Sequence, residues 1–392
     1  MERNGNPATK PVTTGSHIPA MNDVTFPRPV RFSVVVPCYN EKETLRESVG
    51  RLLAIQDDML TLEVIVVDDC SRDNSLEIAR EMAKEHPEIV VLAHEVNQGK
   101  GGALQTGFAR ATGEFVGVHD ADLEYDPMDL RHLLVPLVDG RADAVLGSRY
   151  LNATGTRRVL YFYHTMINKG LTLLSNLFTD LDLTDMETCY KLYRRELIQS
   201  FDLKEKRFGI EPEMVSHLAH SGARVYERGI SYSGRTYEEG KKIGWRDGVR
   251  ALYCLFHYNA HRAPLPLQLL IYFFIGVAAA LVNTVFFLAL LPIMSTGLSA
   301  ALAYIVAAGA NYWLCIKILF RHKSRWSAPG ELAVYGASVA ALCALDVGIT
   351  LALVGLGLSP LAAKLTATLI GFVLNFLARR TLVFPEKSRL NL

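Results

Sequence analysis

From residue 31 to about residue 150 the chain alternates short apolar runs with longer stretches of helical periodicity. The apolar runs are 32–36, 64–67, 89–93, 115–118 and 142–146, rich in Val and Ile. Short, mostly apolar runs of this kind suit strands buried on both faces of a parallel sheet. Between them, 43–55, 75–85, 100–111 and 127–138 read as helices. The alternation predicts an α/β domain on a Rossmann-like, doubly wound, mostly parallel sheet. Ligands on such sheets bind beyond the carboxyl ends of the strands. The main polar motifs below each follow one of these runs.

After residue 150 the pattern changes. Residues 150–235 are mixed and basic. Residues 240–262 place Val249, Leu252, Tyr253 and Phe256 on one helical face, with Lys241, Lys242, Arg246 and Arg250 upstream or opposite. A basic amphipathic helix ahead of a membrane segment is expected to lie in the interface. Four apolar segments follow, at about 269–291, 298–319, 332–355 and 361–383. Each can span the roughly 30 Å hydrocarbon core at about 1.5 Å per residue. The loops 292–298 and 355–361 lack Lys and Arg. Arg321, Lys323 and Arg325 follow the second segment, and Arg379, Arg380, Lys387 and Arg389 sit at the end of the fourth. By the positive-inside rule both termini and the α/β domain are expected to be cytoplasmic, on a multi-pass protein of the cell (inner) membrane. Within this part NYWLCIKILF (311–320) echoes NFLARRTLVF (375–384), and Asn283, Asp346 and Lys364 are polar near membrane depth. The expected organisation is a disordered lead over 1–30, an α/β domain over 31–238, a juxtamembrane helix over 239–264, and an all-α membrane domain of four helices over 265–386.

Composition narrows the function classes. Net charge is +1, which offers no global basic field for nucleic acid. The six cysteines are scattered, with no C-x-x-C and no Cys/His ligand spacing, so structural zinc is not expected. The lead over 1–28 is rich in Pro, Gly, Asn, Thr and Ser and has no apolar core of a secretory signal.

The candidate chemistry follows the strand runs. In VVVPCYNEKETL, Pro37 ends the strand, Tyr39 can stack on a flat ring and Glu41 opens a helix. VIVVDDCSRDNS ends on Asp68 and Asp69, where a carboxylate could accept from a base or ribose hydroxyl. NQGKGGALQTGF is not a Walker A loop: no glycine lies five residues before Gly99, and no Ser or Thr follows Lys100. Gly101 and Gly102 are expected to let their helix approach the sheet. In FVGVHDADLEYDP, Asp120 and Asp122 flank Ala121. They could be an acid/base pair, a metal site, or a polar strand end with no chemistry. Continued strand geometry would put both on one face, with Cα atoms roughly 6.5 Å apart. At an open sheet edge such a pair can grip one divalent cation, and hard oxygen ligands suit Mg²⁺ or Mn²⁺. A proton-sharing dyad would want a dry, enclosed site. Downstream, Arg149, Asp185, Glu187, Lys191, Arg194, Arg195, Glu211, Glu213, Arg235, Lys241 and Lys242 return charge to the sheet edge. The cations among them suit a diphosphate and a second, separate phosphate.

Together VVVPCYNE, VIVVDDCSRDNS, NQGKGGALQTGF, HDADL, GSRY, TDMETCYKLYRRE and RTYEEGKK resemble the glycosyltransferase family 2 domain of the GT-A fold. The resemblance is nearest to dolichol- and polyprenyl-phosphate hexose synthases. The membrane part is similar to the four-helix GtrA-like family. The resemblance implies that Pro37, Tyr39, Glu41, Val67 and Asp69 hold the nucleoside. It implies that Asp120, Ala121 and Asp122 form a DXD motif for the diphosphate, with Asp120 and Asp122 ligating Mg²⁺ or Mn²⁺. Arg149, Arg235 and Lys241 match positions that contact donor or acceptor phosphate. Lys191 joins Arg149 and Arg235 in the expected lipid-phosphate set. Asp122, Arg149 and Arg235 are the expected catalytic residues. TDMETCYK stands where the mannosyl enzymes more often have a Gly and an Arg, and RTYEEGKK replaces a GES-K pattern. The base and sugar therefore stay open between GDP-mannose, UDP-glucose and N-acetylhexosamine donors.

The expected reaction moves a hexose from a nucleotide diphosphate to a polyprenyl phosphate (undecaprenyl or dolichyl), with inversion. Expected partners are that donor, that acceptor and membrane lipids, with no nucleic acid. Related enzymes often self-associate, which allows a homo-oligomer. Two alternatives stand beside this reading. A processive polysaccharide synthase would carry Q-x-x-R-W, but the only R-W here, Arg325–Trp326, has His322 in place of Gln. A lipid-linked-sugar transporter or scaffold would use the α/β part only for regulation.

Overall fold

The computed structural model describes residues 24–151, 158, 159, 161–235, 244–320 and 328–383. β1 (Val30–Cys38), α1 (Leu45–Leu53), β2 (Leu60–Asp68), α2 (Ser75–Glu85), β3 (Ile89–Ala93), α3 (Lys100–Arg110), β4 (Phe115–Val118), α4 (Met128–Val138) and β5 (Ala144–Ser148) alternate as the patterning predicts. Then come α5 (Phe162–Thr179), β6 (Lys191–Arg194), α6 (Arg195–Gln199), α7 (Ile210–Ser221) and β7 (Val225–Gly229). The sheet has seven strands in the order β3-β2-β1-β4-β6-β5-β7. Six of its strands run parallel to a neighbour on one side or both, and β6 is antiparallel to β4 and to β5. This is the doubly wound, mostly parallel sheet of the GT-A fold. Strand order reverses between β1 and β4, which opens a crevice at their carboxyl ends.

Burial explains the elements that the pattern revealed. All four residues of β4 are buried, as are Val34, Val35 and Val36 of β1 and Val64, Ile65, Val66 and Val67 of β2. The fifth strand starts two residues later than expected. The Arg141 and Ala142 amides both donate to the Pro136 carbonyl, so Ala142 belongs to the turn that ends α4.

α8 (Trp245–Asn259), α9 (Leu265–Leu290), α10 (Thr296–Leu314), α11 (Ala328–Gly355) and α12 (Pro360–Ala378) complete the chain's described helices. In α8 the buried face is Ala251, Cys254, Leu255 and Asn259, while Val249, Leu252 and Tyr253 stay exposed. Among the described residues, α9 alone is an unbroken α-helix long and apolar enough to cross a membrane. It buries the stripe Ile271, Tyr272, Ile275 and Ala279 and exposes Phe273, Phe274, Leu281 and Val285. So much exposed apolar surface suits lipid rather than water.

The sequence echo has a structural counterpart. Each copy runs into a π-helical segment, Cys315–Phe320 and Arg379–Val383. The two echoing asparagines converge on one buried cation: Arg379 donates to Asn311 Oδ1 at 2.5 Å and to Asn375 Oδ1 at 3.2 Å. A buried guanidinium so paired ties the two helical hairpins together by hydrogen bonds. The charged loop at 321–327 that entered the orientation reading lies outside the described residues, as do Lys387 and Arg389.

Candidate active site

The site grows from the ends of three strands. β1 and β2 finish in register, Pro37 beside Val67 and Cys38 beside Asp68. The turn after β1 is pinned to the turn after β2. Asn40 sits in the left-handed region at φ 53°. Its amide donates to Ser71 Oγ at 3.0 Å, and its Oδ1 accepts the Arg72 amide at 2.8 Å. The Glu41 amide donates to Ser75 Oγ at 2.9 Å. Tyr39 and Glu41 are thereby held at the crevice.

Asp69 is engaged on both oxygens. Oδ1 accepts the Gln98 amide at 2.8 Å and pairs with His94 Nδ1 at 2.7 Å, while Oδ2 accepts the Gly99 amide at 2.7 Å. It latches the 97–99 turn, where Gly99 takes φ 84°. The glycines after it do not serve helix–sheet approach as expected. Gly101 faces the backbone of Glu205 to Arg207, and Gly102 faces Gln98. Gly107 is the glycine against the sheet, over Val35 of β1.

Asp120 and Asp122 need a second correction. β4 stops at Val118, so neither carboxylate lies on a strand. The His119 amide still donates to Val35 O at 3.0 Å, and then the backbone bends away. Ser48 of α1 holds the bend: its hydroxyl lies 3.0 Å from the Asp122 carbonyl, 3.2 Å from the Asp120 carbonyl and 2.9 Å from His119 Nε2. His119 Nδ1 meets the Tyr190 hydroxyl at 2.9 Å. Burial pushes His119 down to about 4, so at neutral pH it is an uncharged strut.

Two side-chain cations sit on the two aspartates. Lys100, the first residue of α3, places Nζ 3.0 Å from Asp120 and 3.1 Å from Glu211. Arg235 reaches Asp122 at 3.0 Å, Glu124 at 3.3 Å and Glu41 at 3.5 Å. It arrives there because the Ser233 amide donates to Glu124 O and Tyr125 bridges Tyr232. Burial opposes ionisation of Asp120, but the Lys100 ammonium outweighs it and holds Asp120 below the usual carboxylate range. Burial, then the Asp120 and Glu124 carboxylates, push Asp122 up to about 7. The site thus carries negative charge that its own cations do not fully balance.

That excess fits a hard divalent cation. Among the described residues no three His, Cys, Asp or Glu side chains form a closed metal cage. An open pair of carboxylates suits Mg²⁺ or Mn²⁺, which keep oxygen ligands from water and phosphate.

These groups line a cleft of about 1200 Å³. Of the residues expected at the site, Pro37, Tyr39, Glu41, Asp69, Asp120, Ala121, Asp122, Arg149 and Arg235 border it. Arg149 is already paired: its Nε and Nη2 each lie 2.7 Å from the buried Asp185 carboxylate. Its guanidinium covers the Tyr232 ring at 5.2 Å. Val67 is wholly buried in β2, below the edge. Lys191 is not at a phosphate site either. It lies fully buried in β6, its ammonium donating to the Thr188 carbonyl. Lys241 lies outside the described residues. The far wall of the cleft is apolar, with Phe162, Ile167 and Leu171 of α5 facing Val249 and Leu252 of α8.

Sequence reasoning passed over Lys100, Glu124 and Ser48. Glu124 had a local signal, four residues after Asp120 in one acidic stretch. Lys100 carried none beyond the glycine-rich loop, and Ser48 none at all.

Known proteins resemble this chain in both of its parts. Residues 33–201 match glycosyl transferase family 2, and residues 271–384 match the GtrA/DPMS transmembrane domain, which implies association with a membrane. The chain is 32% identical over 222 residues to the undecaprenyl-phosphate mannosyltransferase of Micrococcus luteus, covering 55% of this chain and 88% of that protein. It is 30% identical over 218 residues to the dolichol-phosphate mannosyltransferase of Pyrococcus furiosus, covering 55% of this chain and 60% of that protein. It is 28% identical over 236 residues to a dolichyl-phosphate beta-glucosyltransferase of Trichomonas vaginalis, covering 57% and 72%.

Proposed function

This chain belongs to glycosyl transferase family 2, and from that premise we propose that it transfers a hexose from a nucleotide diphosphate to a polyprenyl phosphate. The observation that carries the reading is the two-ended cleft. One end has the carboxylates and cations that a diphosphate needs, and the other has an apolar wall between α5 and α8. A lipid phosphate is the acceptor that needs both. The names of the relatives, which include undecaprenyl- and dolichol-phosphate mannosyltransferases and a dolichyl-phosphate glucosyltransferase, support the same acceptor class and leave mannose and glucose both open.

The acceptor phosphate is already anionic at neutral pH, so no general base is required. Its oxygen attacks the anomeric carbon as the bond to the diphosphate oxygen breaks, and a single displacement inverts that centre. The chain's work is positioning and charge stabilisation. Asp120 and Asp122 would hold Mg²⁺ or Mn²⁺, which when bound supplies charge stabilisation for the departing diphosphate. Arg235 and Lys100 lie where phosphate oxygens would arrive, and His119 with Ser48 keeps the acidic turn in place. The membrane helices would set this reaction at the headgroup plane, with four spans and both termini in the cytoplasm.

The test incubates the purified protein with undecaprenyl phosphate and a panel of labelled nucleotide sugars, then extracts the lipid. Labelled polyprenyl-phosphate sugar is the expected product. Polymer would indicate a processive synthase, and no transfer from any donor would indicate a transporter or scaffold. Asp122→Ala should abolish turnover, and near-normal turnover in that variant would sink the assignment.

A further inference from the structure

The proposed reaction needs two separate phosphate contacts, and most cations of the cleft are already engaged. Lys100 sits between Asp120 and Glu211, and Arg235 among Asp122, Glu124 and Glu41. Arg149 forks onto Asp185, and Arg158 donates to the Gly234 carbonyl at 2.9 Å. Arg207, in the stretch between α6 and α7, also borders the cleft. Its side chain is 74% exposed, and the ion pair it makes among the described residues is to Asp247 at 4.0 Å. So long and open a pair contributes little and is exchanged at small cost.

The root of Arg207 is fixed although its tip is open. The Glu205 carbonyl accepts Gln105 Nε2 at 2.8 Å, and the Lys206 carbonyl accepts the Gly102 amide at 3.1 Å, so the backbone beneath Arg207 is clamped to α3. The Arg207 stem lies over Gly99, where an added Cβ would come within 2.9 Å of Arg207 Cγ. The guanidinium thus stands between the corner made by Gly99 and Lys100 and the first turn of α8, which carries Asp247. From α8, Val249 and Leu252 belong to the apolar wall. Arg207 therefore marks the boundary between the polar and apolar ends of the cleft. An acceptor whose tail lies on the apolar wall presents its phosphate at that boundary. A guanidinium meets phosphate oxygens with a planar fork of N–H donors. We infer that Arg207 binds the phosphate of the lipid acceptor, leaving Asp247 to do so. This rests on the hexosyl-transfer reading, and it gives Arg207 the place in the lipid-phosphate set that the buried Lys191 was expected to hold.

The test uses the full-length protein and Arg207→Met, which keeps the stem over Gly99 and removes the charge. In the first arm, transfer to undecaprenyl phosphate is measured with each substrate varied in turn. The acceptor KM should rise about ten- to a hundredfold in the variant, while the donor KM stays at the wild-type value. Arg207→Lys, which keeps the charge and loses the fork, should fall between. An unchanged acceptor KM would overturn the inference, and so would a donor KM that rises as much or more, since that would assign Arg207 to the diphosphate. In the second arm, calorimetry measures binding of farnesyl phosphate and of farnesol to wild type and Arg207→Met. The preference for the phosphate should fall about tenfold in the variant. An unchanged ratio would overturn the inference. If the wild type transfers nothing, the hexosyl-transfer reading fails, while the binding ratio needs no turnover and still decides the role of Arg207.

Discussion

Lys100 is one ammonium shared by two carboxylates, Asp120 and Glu211. Lys100→Met would leave both without that countercharge, and breaking a buried pair in this way costs about 3–5 kcal/mol. The expected result is a clearly lower melting midpoint in detergent together with lost turnover; an unshifted midpoint would contradict the assignment. Asp129 gives a prediction in pH. Its carboxyl accepts the Ser231 amide at 2.7 Å, yet burial pushes it up to about 6. A carboxyl raised above its unfolded value of about 3.9 is favoured by folding in its protonated form. Its contribution is therefore full below about pH 4, declines as pH rises toward 6, and is absent above. Relative to Asp129→Asn, the wild-type melting midpoint should lose ground between pH 4 and 6.5, and a flat difference over that window would refute this. The acidic pair was readable because two aspartates after an apolar run have few structural uses. Lys100 was not, because its role depends on Glu211, more than a hundred residues later, and no local spacing records that meeting.

Gly107 lets α3 lie against β1, where an added Cβ would come within 2.9 Å of Val35 Cγ2. Gly107→Ala overpacks that contact, at a cost of about 1–3 kcal/mol. Because α3 begins with Lys100, thermal stability and turnover should fall together; a variant that loses only one of them would separate packing from the site. The strands β1 to β4 and the helices between them could be read from the pattern, since each strand has a largely apolar stretch and the helices between carry helical periodicity. β6 could not. Its four residues are Lys-Leu-Tyr-Arg, and antiparallel pairing on both sides, rather than composition, makes them a strand. The face of α8 was legible only in part. Its exposed Val249, Leu252 and Tyr253 follow the helical period, but the buried Ala251, Cys254 and Leu255 were hidden beside them.

A continuous series of contacts joins α8 to the acidic turn. Arg250 of α8 forks onto the buried Glu205 at 2.8 and 2.9 Å. The Glu205 carbonyl accepts Gln105 Nε2, and the next carbonyl, Lys206, accepts the Gly102 amide, both in the helix that carries Lys100. Arg250→Gln should raise the donor KM by about tenfold and, because it leaves the buried Glu205 without its countercharge, lower the melting midpoint as well. An unchanged KM would mean that α8 and the site act independently. The strand order described above also has a consequence for biosynthesis. The sheet's last strand, β7, ends at Gly229, and the apolar α9 begins only at Leu265. Both partners of every ladder are therefore synthesised before α9, including β4 and β6, which meet between Phe115 and Arg194. A nascent chain folding from its N-terminal side can close the whole sheet while its greasiest segment does not yet exist. On that order of synthesis every sheet edge can find its partner strand before the chain's most apolar helix is made.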